Sequence, residues 1–143
     1  MENEQVNNEQ GLGMSQPVFE ITMEDLADAI YQNAADKGFY KEYNQIRLLL
    51  VLNAPELVPA FDAMWLSNRL MLVVSELAEG LEAIRKGNFD DKPKSGGLGE
   101  ELADAQIRLL DLMKHRGYSP TIAVTEKMLF NAKREFKHGG KVL

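Results

Sequence analysis

From about Ala60 to Lys86, the residues Leu66, Leu70, Val73, Leu77, Leu81 and Ile84 recur every three or four positions. That is the spacing of one apolar face of an α-helix, and a helix of this length must lie against other elements of the fold. The chain around it reads the same way. Thr22 is a candidate N-cap, with Asp25 closing a capping box and Ile21 and Leu26 forming a hydrophobic staple. Leu26, Ile30 and Ala34 carry a stripe to about Lys37-Gly38. Tyr40 to Asn53 is helical and apolar until Ala54-Pro55 and Val58-Pro59 interrupt it. "KGNFDDKPKSGGLG" is a loop by composition. Another helix is expected from about Leu98 to Arg116, ended by Gly117, and Ser119-Pro120 opens a last one reaching about Phe136. With no alternating strand of useful length and no internal repeat, the expected fold is all-α, a helical bundle of about four to five helices.

A chain of 143 residues is long enough for one domain with its own core. The polar segment 1–17 is expected to be a flexible tail, residues 18–143 a single helical domain, and "KHGGKVL" a flexible basic end. Sixteen basic against 22 acidic residues leave a net charge of −6, which disfavours a nucleic-acid polymer as partner. A nucleotide ligand remains open, because a metal ion reverses the local sign of the field. Cysteine is absent, so neither disulfides nor thiolate metal sites can form. "MENEQVNNEQGLGMSQP" is polar and acidic, unlike a signal or transit peptide. The dense apolar run Ile46–Leu52 contains Arg47 and is too short to span a bilayer. The expectation is a soluble, cytoplasmic protein without a membrane partner.

Four acids stand out. Glu76 and Glu79, then Glu101 and Asp104, form two pairs three residues apart inside the apolar helical runs. Such spacing sets the members of a pair about 60° apart on one helix face and roughly 4.5 Å apart along the axis. On the long helix Phe61, Trp65, Leu72, Glu76, Glu79 and Ala83 project together, beside the leucine stripe. Carboxylates sharing a strip with aromatics predict a face covered by another helix, a subunit or a ligand. On the later helix Leu98, Leu102, Ala105, Leu109, Leu112 and Met113 form the expected core stripe, with Glu101, Asp104, Arg108 and Asp111 on its flank. Antiparallel packing of the two helices brings both acid pairs to one interface. Four such carboxylates need compensation, and a hard divalent cation supplies it. The plainer alternative is a solvated acidic face, in which Arg108 serves Asp104 as an i+4 ion pair.

These segments, "SELAEGLEAIRKG" and "EELADAQIRLLDL", resemble the MazG-like, all-α nucleoside triphosphate pyrophosphohydrolases. The hallmark of that family is ExxE, a spacer, then ExxD. Here it is Glu76-x-x-Glu79, 21 residues, then Glu101-x-x-Asp104. "LMLVVSELAEGLEAIRKG", "GEELADAQIRLLDL" and "EKMLFNAKREFKHGGK" fall in the family's order, and "KGFY" at Lys37 to Tyr40 is similar to its first-helix end. Similarity covers roughly residues 21–141, and Lys41 to Pro59 is longer and more apolar than in compact members. The resemblance implies hydrolysis of a nucleoside triphosphate to the monophosphate and pyrophosphate. Glu76, Glu79, Glu101 and Asp104 would hold Mg²⁺, with Mn²⁺ as a substitute, and Glu76 or Glu100 would take the proton of the attacking water. Lys127, Asn131 and Arg134, a single stripe on the last helix, would grip phosphate oxygens, Lys37 would join them in substrate binding, and Lys141 in the glycine-rich tail would close over the phosphates. Trp65, Phe61, Phe39 and Tyr40 are candidates to stack on the base, although aromatics at this spacing also serve as core. Assembly as a homodimer or homotetramer is implied as well.

Two other classes compete. A carboxylate-bridged iron or manganese bundle requires two Glu-x-x-His pairs, and Glu135-x-x-His138 is the single match. A non-enzymatic dimerisation module would use the covered strip as its interface and release no pyrophosphate from any nucleotide.

Overall fold

The computed structural model describes residues 21–134. It is all-helical, with no strand among the described residues: α1 (Met23–Asp36), α2 (Lys41–Asn53), α3 (Val58–Lys86), α4 (Leu98–His115) and α5 (Pro120–Ala132). The candidate tail 1–17, the end of the last helix at Phe136, Lys141 and the Glu135/His138 pair lie outside the described residues.

Local chemistry sets most helix ends. The N–H of Asp25 donates to Thr22 Oγ1 and the Asp25 carboxylate accepts from the Thr22 N–H, both at 3.1 Å, completing the capping box. Pro59 does not interrupt a helix. It sits in the first turn of α3, where a missing N–H costs nothing, and the chain turns instead through a short 3₁₀ segment, Pro55–Leu57. Gly87 closes α3 in the left-handed region at φ 69°. Ser119 caps α5 by accepting from the Ile122 N–H at 3.3 Å.

The centre of the fold is an antiparallel pair, α3 and α4. Gly80 faces Leu98 and Glu101, Glu76 faces Arg108, and Trp65 faces His115, so residue numbers rise on one helix as they fall on the other. Small residues allow the close approach. A Cβ at Gly80 would stand 3.3 Å from Leu98 Cδ1 and 3.5 Å from Glu101 Cβ, and Ala83 and Ala105 are buried beside it.

Here the structure corrects the expected core. Of the leucine stripe on α3, Leu70, Leu77, Leu81 and Ile84 are 52, 49, 49 and 46% exposed, and on α4 Leu102 and Leu109 are exposed too. The helices meet through Val73 of the expected stripe, Glu76 and Ala83 of the strip expected to be covered, and Gly80 on α3, and through Ala105 of the expected stripe with Glu101 and Leu110 on α4. Hydrophobicity pointed to the bulky face; steric fit selected the small one.

Helix α1 lies along α4 through Ala27 and Ala34, and Lys114 on α4 ties it down by pairing with Glu24 at 2.7 Å and Asp28 at 2.5 Å. Helix α2 is held to α3 by Asp62, which accepts from Tyr43 Oη at 2.7 Å and Arg47 Nε at 3.1 Å. Beyond these anchors α2 exposes Ile46, Leu48, Leu49, Val51 and Leu52, and α5 is exposed throughout after Pro120. The stretch Pro55–Lys86 contains an 18-residue window of mean hydropathy 1.3, long and apolar enough to cross a bilayer by those measures alone. Apolar residues on both of its faces produce that value, one face against α4 and the other bare.

Candidate functional site

Glu76, Glu79 and Glu101 converge at the α3–α4 interface. Each places a carboxylate oxygen within 4.8 Å of the other two. Glu76 and Glu101 are 6 and 7% exposed, while Glu79 reaches solvent. Glu76 is paired: Arg108 Nε donates to its Oε1 at 2.5 Å, and Nη2 lies 2.5 Å from the same oxygen. Arg108 therefore crosses to the other helix rather than serving Asp104 on its own. No cation among the described residues pairs with Glu101, and its carboxyl is pushed above the usual range by burial first, then by Glu79 and Glu76. Asp104, one turn after Glu101, is half-buried and lies on the wall of an adjoining cavity rather than within the three-carboxylate group.

That cavity, about 340 Å³, runs between α1, α3 and α4. Trp65, Tyr40 and Phe39 supply aromatic wall, Arg69 and Arg108 supply positive charge, and Asp104 and Asp111 supply carboxylates. Arg69 is fixed in place, donating to the Phe39 carbonyl at 2.8 Å with its guanidinium 4.8 Å from the Trp65 ring centroid. Tyr40 Oη donates to Asp111 Oδ1, and burial together with that bond pushes the phenol pKa up.

Behind this wall His115 is packed among aromatics. It stacks on Tyr40 at 4.7 Å with an interplanar angle of 1°, and its centroid is 4.4 Å from Trp65 and 5.3 Å from Tyr43. Burial lowers its pKa and its Nδ1 has no hydrogen-bond partner, so the imidazole is neutral core. No histidine among the described residues joins the carboxylate group. Phe61 stacks on Tyr43 at 5.5 Å and belongs to the same cluster, away from the cavity lining.

The remaining candidates fall elsewhere. Lys127, Asn131 and Arg134 lie exposed on and just beyond α5, where Lys127 and Arg134 flank the Phe130 ring at 4.9 and 5.2 Å, and none of them lines the cavity. Lys37 is the exposed C-cap of α1 and is not part of the lining either. Glu100 is committed to the α3–α4 loop. It accepts from the N–H groups of Lys94 and Gly96, the latter at 2.7 Å, and these bonds hold its pKa below the usual carboxylate range. A carboxylate so engaged is a poor proton acceptor. The loop is tight elsewhere too, since a Cβ at Gly97 would stand 2.3 Å from the Asp90 carbonyl.

Arg69 and His115 were not among the sequence candidates. Arg69 was findable, because it stands four residues after Trp65 and seven before Glu76, a cation on a face already expected to be covered. His115 carries no comparable local signal. No family model matches the chain, and neither the curated proteins nor the solved structures include a significant match to it.

Proposed function

We propose that this chain is a Mg²⁺-dependent nucleoside triphosphate pyrophosphohydrolase. The observation that carries the reading is the convergence of Glu76, Glu79 and Glu101 within 4.8 Å beside a cavity walled by Trp65 and Tyr40 and charged by Arg69 and Arg108. The donor set fits a hard cation: three carboxylates converge, Arg108 pairs with Glu76 alone, and burial with two neighbouring acids disfavours ionisation of Glu101 unless a cation compensates it. When bound, Mg²⁺ neutralises the triphosphate and acidifies a water for attack at the α-phosphorus. Asp104, on the cavity wall outside that group, extends the carboxylate line toward the cavity. Trp65 and Tyr40 offer flat surfaces to the base, and Arg69 and Arg108 meet the phosphates. The family resemblance of the ExxE and ExxD segments supports the same reading, and Mn²⁺ serves as a substitute ion. No histidine among the described residues joins the three glutamates, so the donor set there is all oxygen, which suits Mg²⁺.

The reading includes self-assembly. Four large apolar residues in helical register on α3, all about half exposed, form a contiguous surface of the kind that subunit interfaces cover. A homodimer or homotetramer that buries this stripe could also cover the exposed apolar residues of α2 and α5.

A panel of nucleoside and deoxynucleoside triphosphates, assayed with and without Mg²⁺, should show metal-dependent release of pyrophosphate. Orthophosphate release, or none, rejects the proposal. Glu79→Ala, at an exposed position, should lower the rate about a thousandfold while leaving the helical circular dichroism signal intact, because metal stabilisation of the transition state is worth several kcal/mol.

A further inference from the structure

We propose that Arg108 is the resident counter-ion of the carboxylate group, released from Glu76 when a divalent cation enters and then free to bind an anion in the cavity. The proposal rests on the metal-site reading above and assigns Arg108 a role as a coupling residue between the two ligands.

The ion pair is asymmetric. The Glu76 side chain is 8% exposed and fixed within the helix interface, whereas that of Arg108 is 41% exposed. Only one partner can leave without stranding a charge away from water. The pairing is also not matched oxygen for oxygen. Nε donates to Oε1 of Glu76 and Nη2 lies closest to that same oxygen, so the second oxygen takes no hydrogen bond from the fork. Arg108 further belongs to the cavity lining along with Asp104 and Asp111. Its contrast with Arg69 is informative, because Arg69 is anchored to the Phe39 carbonyl and the Trp65 ring and contacts no carboxylate of the group.

Charge makes the two states exclusive. A dication held by the three glutamates repels a guanidinium at hydrogen-bond distance from one of them, and both compete for Glu76. In the metal-free protein Arg108 limits the repulsion among the buried acids. In the loaded protein its own compensation is gone, and an anion such as a polyphosphate chain supplies it. Metal and anion binding are thereby coupled through one side chain, with the reciprocity that linkage demands.

The test uses Mn²⁺ alone and inorganic tripolyphosphate as probes on the full chain. Arg108→Gln should bind Mn²⁺ about tenfold more tightly than wild type in the absence of anion, as expected for removing a charge-assisted competitor. With Mn²⁺ saturating, the same variant should bind tripolyphosphate about tenfold more weakly. In wild-type protein the ¹⁵N resonance of Arg108 Nε should move toward that of a solvated guanidinium as Mg²⁺ is titrated, a readout that needs no variant to fold. Unchanged or weaker Mn²⁺ binding by Arg108→Gln, or an Nε resonance that does not move although Mg²⁺ binds, overturns the proposal and leaves the metal site standing. Failure of wild-type protein to bind Mn²⁺ at all overturns the metal-site reading itself, and this proposal with it.

Discussion

The two sides of α3 invert ordinary expectation. Toward α4 it presents Glu76 and Gly80, and this side is buried; away from α4 it presents Leu70, Leu77, Leu81 and Ile84, and this side is half exposed. The difference is one of shape before polarity. Gly80, Ala83 and Ala105 let two helix backbones approach closely, and the acids one turn away are carried into the interface with them. Leucines would hold the helices further apart and leave the acids in water. Buried carboxylates are therefore a consequence of close packing, and the half-exposed leucines are its counterpart on the opposite side.

The sharpest way to break this comparison is to charge the bare side. Leu77→Asp combined with Leu81→Asp should weaken self-association at least about a hundredfold, because two large apolar side chains lose their burial and two like charges are set against each other. Sedimentation should then show monomer where wild type is oligomeric, while Mn²⁺ binding by the glutamates persists. A wild-type monomer that stays soluble removes the interface. Partition of wild type into liposomes instead assigns the stripe, and the long apolar helix beneath it, to a membrane. Next in size comes the covered side. Gly80→Leu forces a branched side chain against Leu98 and Glu101 and should destabilise the fold by about 1–3 kcal/mol in urea unfolding. A neutral effect means that the helices are not packed closely there.

Helix ends were legible in the sequence because they are local chemistry. Thr22 with Asp25 and Ser119 with Pro120 act within four residues, and the structure has both caps. The buried face of α3 was legible in part, since the strip with Trp65, Glu76 and Ala83 was expected to be covered, but hydrophobicity alone favoured the leucine stripe because apolar residues surround that helix. The usable signal was residue size, at Gly80 and Ala83 opposite Ala105. The glutamate convergence was readable from spacing, because two i, i+3 pairs on helices joined by one loop have few other ways to lie. The partner of Arg108 was not. An i+4 acid on the same helix is the natural reading, yet the guanidinium crosses to Glu76, 32 positions away. Aromatic packing around His115 draws on α1, α2 and α3 together, and no window of sequence contains it.

The smallest expected effect bears most directly on why acids are tolerated inside. The Glu101 carboxyl has a folded-state pKa raised above its unfolded value, with burial as the leading cause. The stability associated with its protonated form is thus fully present below the unfolded pKa and is lost as pH rises through the folded one. Glu101→Gln keeps the shape and cannot ionise. Without metal, its melting temperature should match wild type in acid and exceed it increasingly as pH rises through the Glu101 titration. Glu24, Asp25 and Glu100, whose pKa values are lowered, lose stability in the opposite direction, but they are present in both proteins and cancel in the difference. Saturating Mg²⁺ should then reverse the sign at neutral pH, stabilising wild type through its third carboxylate while the variant gains less. A difference that does not vary with pH, or that Mg²⁺ leaves untouched, means that Glu101 carries no unbalanced charge and that the buried side of α3 needs no cation to explain it.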